Sequence, residues 1–208
     1  MRIAIAALLT LALAGCATSS GVPANGFIND TIAGAYIPLE GRTYVVMDNR
    51  GAAFAIAPGV AVTNAHNADA LGSVPVIGTA RNYDLLFFRS DRNVTPPTMA
   101  PSVGERVVAY GQGAHGEVRI AVGIVRALNA PVKARCETCA IQSAFIYEGN
   151  AGPGFSGGPV VDAQTGQVVG ITFGYLDPDG RRLMYAYPMS RVRNELATIQ
   201  GRVPTDVN

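Results

Sequence analysis

Short apolar runs separated by turn-forming residues are the feature that most restricts the fold of this chain. The 208 residues include 24 glycines and 13 prolines, which cluster with Asn and Asp between the runs. Runs of roughly four to eight apolar or β-branched residues, bounded in this way, are typical of strands and favour a sandwich or barrel over strand–helix repeats. The predicted strands are 43–47, 52–57, 60–63, 85–89, 106–110, 120–127, 141–145, 160–161, 168–173 and 182–187.

Only two segments predict helix. Residues 66–71 are compatible with a single turn. The stretch 188–199 begins with Pro188 and carries Val192, Leu196 and Ile199 on one face, a pattern typical of an amphipathic helix. The proline-rich residues 95–101 predict a linker between two halves. We therefore expect an all-β protein with a short C-terminal helix.

The motif Gly154-Phe155-Ser156-Gly157-Gly158-Pro159 is the strongest candidate for chemistry. A serine hydroxyl attacks a carbonyl only if a base removes its proton and nearby donors stabilise the oxyanion. Glycines lack Cβ, so the backbone around Ser156 can turn N–H groups toward a substrate. The remainder of the chain must then supply the base and the group that orients it.

The chain has two histidines, His66 and His115. His66 follows a predicted strand, whereas His115 lies in a glycine-rich loop and is predicted to be a surface residue. Asp84 directly precedes the apolar run 85–88, where a buried carboxylate could accept the Nδ1–H of a histidine and fix its tautomer. The predicted constellation in chain order is His66, Asp84 and Ser156.

The order of these residues separates two hydrolase folds. Gly154-x-Ser156-x-Gly158 also fits the nucleophile elbow of α/β-hydrolases, but that fold requires a histidine after the serine. Both histidines precede Ser156, so this alternative lacks its base. Asp69 and Asp91 are alternative acids, weaker than Asp84 because neither precedes a buried apolar run.

Taken in order, these motifs resemble the chymotrypsin-fold (trypsin-like) serine proteases, and most of all their bacterial high-temperature-requirement (Deg-type) branch. The resemblance runs from about residue 52 to 199. The matching segments are 52–56, 63–66, 83–87, 109–113, 123–125, 141–143, 154–161, 170–174 and 185–188.

The resemblance implies two six-stranded antiparallel β-barrels with the active site between them. In residue numbers, the protease domain would occupy 31–208. The N-terminal barrel would span about 31–95, the C-terminal barrel about 102–188 and the helix about 188–200.

The same resemblance implies a role for each matching residue. Ser156 would be the nucleophile, His66 the general base and then acid, and Asp84 the orienting carboxylate. The backbone N–H groups of Gly154 and Ser156 would form the oxyanion hole. The implied activity is that of a serine endopeptidase, working through an acyl-enzyme on protein or peptide substrates without a cofactor.

Substrate-binding residues follow from the same alignment. Thr172, Phe173 and Gly174 would form the strand that pairs with an extended substrate. Asn150 would lie at the floor of the primary pocket, with Phe173, Gly174 and Tyr185 on its walls. Because no carboxylate falls at this floor and Tyr185 is bulky, we expect a preference for small or medium apolar residues over Lys or Arg.

Phe155 departs from the family pattern. Many animal members have an acid at this position, which pairs with a newly cut N-terminus, and Deg-type members usually have Asn. The acid-dependent switch is therefore absent, and the oxyanion hole could be unformed until substrate binds. Two functions stay open, an active endopeptidase and a catalytically weak or inactive relative that serves as a scaffold or binding module. Deg-type enzymes continue into PDZ domains, a form of regulation we do not expect here.

The start of the chain predicts export. Met1-Arg2 precedes the apolar residues 3–14, a pattern typical of a signal peptide and too short to span a bilayer. Leu13-Ala14-Gly15-Cys16 resembles the lipobox of bacterial lipoproteins, which implies cleavage after residue 15 and lipidation of Cys16. We expect a lipid anchor in the outer membrane facing the periplasm, followed by a flexible tether over 16–30. The alternative is an ordinary signal peptide with an unmodified Cys16.

Two further sequence features concern redox chemistry and charge. Cys136 and Cys139 form a CxxC pair that predicts a disulfide or a redox-labile pair in an envelope compartment. A structural zinc needs four ligands, and no second pair follows, so we expect no metal. Cleavage before Cys16 would remove Arg2, so the mature chain would have 15 Lys and Arg against 15 Asp and Glu and a formal charge of zero. This balance argues against nucleic acid or an anionic membrane as the main partner.

Overall fold

The computed structural model describes residues 20–40, 50–113, 115–133 and 141–202. Several predictions fall outside these ranges. They are the signal peptide at 1–15, the lipidated Cys16, the strand at 43–47 and the pair Cys136 and Cys139.

The described residues form twelve strands, two α-helices and two 3-10 helices. Their bounds are β1 Val22–Pro23, α1 Asp30–Ala35, β2 Tyr36–Glu40, β3 Arg50–Ala57, β4 Val60–Thr63, a 3-10 helix Ala65–Leu71, β5 Val76–Thr79, β6 Leu86–Arg89, β7 Arg106–Gln112, β8 Val118–Lys133, β9 Ile141–Gly149, β10 Pro159–Asp162, β11 Val168–Leu176, a 3-10 helix Pro178–Gly180, β12 Leu183–Pro188 and α2 Met189–Ile199. Every predicted strand within the described ranges coincides with an observed strand, and both predicted helices are confirmed. None of the helices in the described ranges combines the length and the apolar character needed to cross a bilayer.

The C-terminal half is a closed antiparallel barrel of six strands. Its strands follow the order β8–β7–β10–β11–β12–β9, and β9 pairs back with β8 to close the barrel. Its core holds Phe145, Val160, Val169 and, unexpectedly for a residue beside the predicted nucleophile, Phe155. The predicted chymotrypsin-like barrel is confirmed in this half.

The N-terminal half is a second antiparallel sheet, with the strand order β2–β3–β4–β6–β5 in the described residues. Both faces of its central strands are buried. Phe54, Val62 and Phe87 pack on one side and Ala61 and Phe88 on the other. Because both faces are covered, these strands read in the sequence as continuous apolar runs.

One apolar cluster joins the two halves. It contains Phe54 and Phe87 from the sheet, Ile171 and Tyr187 from the barrel, and Val192 from α2. The helix leaves the barrel after β12 and returns to the sheet. At its end, a Cβ built on Gly78 of β5 would lie 2.6 Å from Cγ2 of Ile199. The halves therefore share a core, and α2 lies across their boundary.

Residues 20–30, predicted as part of a flexible tether, are instead packed against the barrel. Val22 and Pro23 pair with β8, and α1 begins at Asp30 behind an Asn29 side chain that accepts from Ile32 N–H. The tether prediction is corrected over these residues, because backbone pairing with the edge of β8 supplies the order that the composition did not indicate. Residues 16–19 lie outside the described ranges.

A shared core predicts cooperative unfolding. Met189 is 2% exposed in the cluster between the halves. Met189→Ala should lower the free energy of unfolding by about 2 kcal/mol or more, through lost burial and an unfilled cavity. Urea denaturation followed by tyrosine fluorescence and far-ultraviolet circular dichroism should give a single transition. The exposed Arg193→Ala serves as control. An unchanged midpoint for Met189→Ala, or separate transitions for the two probes, would contradict a common core.

Candidate active site

His66 and Asp84 meet where two paired strands end. β4 and β6 are antiparallel, so the residues after Thr63 lie beside those before Leu86. His66 Nδ1 is 2.6 Å from Asp84 Oδ2, and the His66 backbone N–H donates to Oδ1 at 3.0 Å. An ionised carboxylate only accepts hydrogen bonds, so Nδ1 carries the ring proton and Nε2 keeps its lone pair. The predicted pairing of these residues is present, with Asp84 buried and His66 partly exposed.

Asp84 is also fixed from the other half of the molecule. Its backbone N–H donates to the Tyr187 hydroxyl at 3.4 Å, and that hydroxyl donates to Gln142 Oε1 at 2.5 Å. The Gln142 amide in turn donates to the carbonyl of Asn82. Burial raises the pKa of Tyr187 above its ordinary value, so the hydroxyl keeps the proton that it donates. Side chains of β9 and β12 thus hold the loop that carries Asp84.

Ser156 lies in a loop, residues 150–158, that we call the serine loop. Its carbonyl groups are bonded to the surrounding protein. The Ser156 carbonyl accepts from Ala52 N–H at 2.9 Å and from Asn67 Nδ2 at 3.0 Å, both in the N-terminal half. Four more carbonyls of the loop accept hydrogen bonds from outside it. Gly154 accepts from Gln112 N–H, Asn150 from Gly21 N–H, Gly158 from Thr172 N–H and Ala151 from Arg182 Nη1.

Five N–H groups of the serine loop have no acceptor in the described part of the chain, those of Asn150, Ala151, Gly152, Gly154 and Ser156. Only the last two stand at and next but one to the predicted nucleophile, where the resemblance places the oxyanion hole. The neighbouring Phe155 N–H donates to the Gly152 carbonyl at 3.0 Å, and Gly157 N–H to that of Thr172 at 2.8 Å. Gly154 has φ +92°, and a Cβ there would lie 2.0 Å from the Gln112 carbonyl oxygen. Only glycine fits this position without moving the Gln112 carbonyl.

A cavity of about 680 Å³ brings His66 and Ser156 together. Its wall is mainly apolar, with Lys133 as the one ammonium and no carboxylate among its lining residues. They are His66, Pro131, Val132, Lys133, Gly152, Pro153, Ser156, Phe173, Gly174, Tyr175, Leu176 and Tyr185. The described residues include no hydrogen bond between the Ser156 hydroxyl and His66. Such bonds are often long in free enzymes and shorten when substrate binds.

The predicted substrate-binding residues divide into three groups. Phe173, Gly174 and Tyr185 line the cavity as expected. Thr172 does not, because it is buried with its hydroxyl 2.9 Å from that of Tyr147, and its backbone bonds the serine loop. Asn150 is exposed and lines a different surface depression beside Arg106 and Arg126. Its carbonyl is occupied by Gly21, and the structure does not bring it to the cavity with Ser156.

Phe155 points away from this cavity into the barrel core, where it is fully buried. Two glycines make room for its ring. A Cβ on Gly111 would lie 2.5 Å from Cγ of Phe155, and one on Gly21 would lie 2.6 Å from Cζ. The aromatic residue therefore fits into a slot and anchors the serine loop through packing.

Asn67 is a site residue that sequence reasoning missed. It is 3% exposed, and its Nδ2 bridges Thr63 Oγ1 and the Ser156 carbonyl, each at 3.0 Å. Gly51 and Gly157 give it space, because a Cβ on Gly51 would lie 2.5 Å from the Asn67 amide. In the sequence, the only indication that Asn67 belongs to the site is that it directly follows His66. Among the described residues, no group of three or more His, Cys, Asp or Glu side chains could hold a metal ion.

Solved bacterial proteases share this fold. The Rv3671c protease of M. tuberculosis, in its active form, is 19% identical over 89% of this chain and 91% of its own, with a TM-score of 0.63. The MamO protease domain of Magnetospirillum magneticum is 19% identical over 78% and 96%, with a TM-score of 0.62. The HtrA-type protease AlgW with a tripeptide is 18% identical over 86% of this chain but only 65% of its own, with a TM-score of 0.64.

A search of curated protein sequences gives no match. The trypsin-like peptidase domain family, by contrast, matches residues 45–171, more than half of the chain, and this span includes His66, Asp84 and Ser156. The protein belongs to the trypsin-like peptidase domain family.

Proposed function

We propose that the protein is a serine endopeptidase of the cell envelope, with Ser156 as nucleophile, His66 as general base and Asp84 as the orienting carboxylate. One observation carries this proposal. The His66–Asp84 pair and Ser156 open onto a single cavity, and the loop of Ser156 leaves the N–H groups of Gly154 and Ser156 unpaired in the described residues.

The geometry supports hydrolysis in two steps. Ser156 Oγ attacks the peptide carbonyl while His66 Nε2 takes its proton, and Asp84 stabilises the resulting imidazolium. The carbonyl oxygen, now negative, accepts from the N–H groups of Gly154 and Ser156. His66 then returns the proton to the leaving amine, which breaks the peptide bond and leaves an acyl ester on Ser156. Water, deprotonated by His66, cleaves the ester by the same route and regenerates the hydroxyl.

An extended peptide is the substrate that the cavity fits best. β10 pairs with β11 only at Val168–Ile171, whereas β12 pairs with β11 as far as Leu176. The other edge of Phe173–Leu176 is therefore free of strand β10 and faces the cavity, where a substrate could add as a strand. The apolar wall and the missing carboxylate favour small or medium apolar side chains over Lys or Arg.

One observation favours a second function. The free structure has no hydrogen bond from the Ser156 hydroxyl to His66 in its described residues. A protein in which this hydrogen bond stayed absent with substrate bound would hydrolyse poorly and could serve as a peptide-binding scaffold. Covalent labelling of Ser156 distinguishes the two functions.

The cellular setting is proposed from the sequence alone. Leu13-Ala14-Gly15-Cys16 supports cleavage before Cys16 and a lipid anchor there, with the protease facing the periplasm. Fatty-acid labelling of the protein in cells, lost in Cys16→Ser, would support the anchor, and equal labelling would exclude it. Cys136 and Cys139 are proposed to form a disulfide in this oxidising compartment.

Ser156→Ala tests the nucleophile. The wild-type protein should hydrolyse unfolded protein substrates and react with a fluorophosphonate probe, because only an activated serine is phosphonylated. In Ser156→Ala the probe signal should vanish and kcat should fall by about 10⁶-fold. Ser190→Ala, an exposed serine on α2, should behave as wild type. Failure of the folded wild-type protein to react would favour the scaffold, and equal labelling of Ser156→Ala would exclude Ser156.

Asp84→Asn tests the orienting carboxylate. The asparagine keeps an oxygen for the His66 backbone N–H but can turn an amide N–H toward Nδ1. This moves the ring proton to Nε2, which can no longer accept from Ser156, so kcat should fall by about 10⁴-fold. Asp91→Asn is the control, since that side chain is 97% exposed. If kcat of Asp84→Asn fell less than about tenfold while the protein stayed folded, Asp84 would not have this role.

A further inference from the structure

We propose that the N-terminal segment, residues 20–24, is a positioning element of the active site, and that Arg119 fastens it to the serine loop. This proposal rests on the proposed function, because it concerns the same serine. It assigns a task to a part of the chain that lies ahead of the peptidase match at 45–171.

Arg119 binds the segment through two hydrogen bonds from one guanidinium. From strand β8, its Nε donates to the Ser20 carbonyl at 2.6 Å and its Nη2 to the Gly21 carbonyl at 2.8 Å. The third nitrogen, Nη1, lies 3.2 Å from Glu117 Oε1, which orients the guanidinium. The Arg119 side chain is 13% exposed. Charge-assisted bonds from a planar, largely buried guanidinium are strong and directional, and a lysine could not reproduce the geometry.

The segment in turn contacts the serine loop at three points. Gly21 N–H donates to the Asn150 carbonyl at 2.8 Å. A Cβ on Gly152 would lie 2.3 Å from the Ser20 hydroxyl, so the Ser20 side chain packs against the Gly152 backbone. The third point is Phe155, whose Cζ would be 2.6 Å from a Cβ on Gly21. The segment therefore forms one wall of the slot that holds the Phe155 ring.

Phe155 links the position of the segment to the two proposed oxyanion donors. Its peptide neighbours are Gly154 and Ser156, whose N–H groups are the proposed oxyanion donors. Gly154 has φ +92°, a conformation that glycine leaves easily because it lacks a Cβ to restrict it. Gln112 holds the Gly154 carbonyl on one side. On the other side, the orientation of these peptides depends on where the Phe155 ring sits, and so on Gly21.

Displacement of the segment should thus affect the transition state more than substrate binding. Most residues that line the cavity lie on β8, β11 and β12, and Gly152 is the lining residue that the segment contacts, through Ser20. The oxyanion donors act only once charge develops on the carbonyl oxygen. We expect a lower kcat with little change in KM.

Two variants and a matched control test the proposal in the full-length protein. Arg119→Ala removes the fastening. Gly21→Val places a side chain against both the Ile120 carbonyl and Phe155, at a position with φ +63°, and so displaces the segment. Each should lower kcat by about 10- to 100-fold, with KM changed less than about threefold, because the oxyanion donors are misplaced rather than deleted. Arg119→Lys should fall between wild type and Arg119→Ala. Arg126→Ala also removes an Arg–Glu pair from β8, but one that makes no bond to the segment in the described residues, and should keep the wild-type kcat.

Hydrogen–deuterium exchange over residues 150–158 gives a readout that does not depend on activity. Exchange should accelerate in Arg119→Ala and Gly21→Val, and stay at the wild-type rate in Arg126→Ala. If wild type is active and both segment variants keep its kcat and its exchange rates, the positioning role is wrong. If wild type itself shows no hydrolysis or labelling, the proposed function fails, and the exchange data alone decide whether the segment orders the loop.

Discussion

Each half of the molecule fixes the position of a proposed catalytic residue that belongs to the other half. Ala52 and Asn67 of the N-terminal sheet bind the carbonyl of Ser156, which belongs to the barrel. Tyr187 and Gln142 of the barrel secure the loop of Asp84, which belongs to the sheet. The cavity exists only where the halves meet, so the geometry of the site depends on these reciprocal hydrogen bonds and on the apolar core beneath them.

The conformation of the serine loop depends on its glycines and on one buried aromatic side chain, that of Phe155. Several carbonyls of the loop accept hydrogen bonds from the surrounding protein, and the N–H groups of Gly154 and Ser156 are among its donors that have no acceptor in the described residues. The residue beside Ser156 is the apolar Phe155. Here it anchors the loop by burial between Gly111 and Gly21. Apolar packing therefore fixes the serine loop here. A buried ion pair could also fix it, but at the desolvation cost of burying a charge.

Local sequence patterns predicted much of this structure. The apolar runs located the strands, and the order of His66, Asp84 and Ser156 selected the fold. The strands and helix that were missed carry mixed signals, since β2 contains Pro38, β5 contains Gly78 and α1 contains Gly34. Asn67, Tyr187 and Gln142 were missed for another reason. Their partners lie far away in sequence, so only tertiary structure shows what they bind. Asn150 was misplaced because alignment gives its neighbours in the chain but not the direction in which the loop turns.

A crystal structure of the protein after reaction with a fluorophosphonate would show the nucleophile and the oxyanion donors together. We expect a covalent bond to Ser156 Oγ, with the phosphoryl oxygen about 2.7–3.1 Å from the backbone nitrogens of Gly154 and Ser156. Phe155 should stay between Gly111 and Gly21, and His66 Nδ1 should stay bonded to Asp84. An adduct on another residue, or a phosphoryl oxygen that faces away from these two N–H groups, would contradict the proposed roles of Ser156 and Gly154.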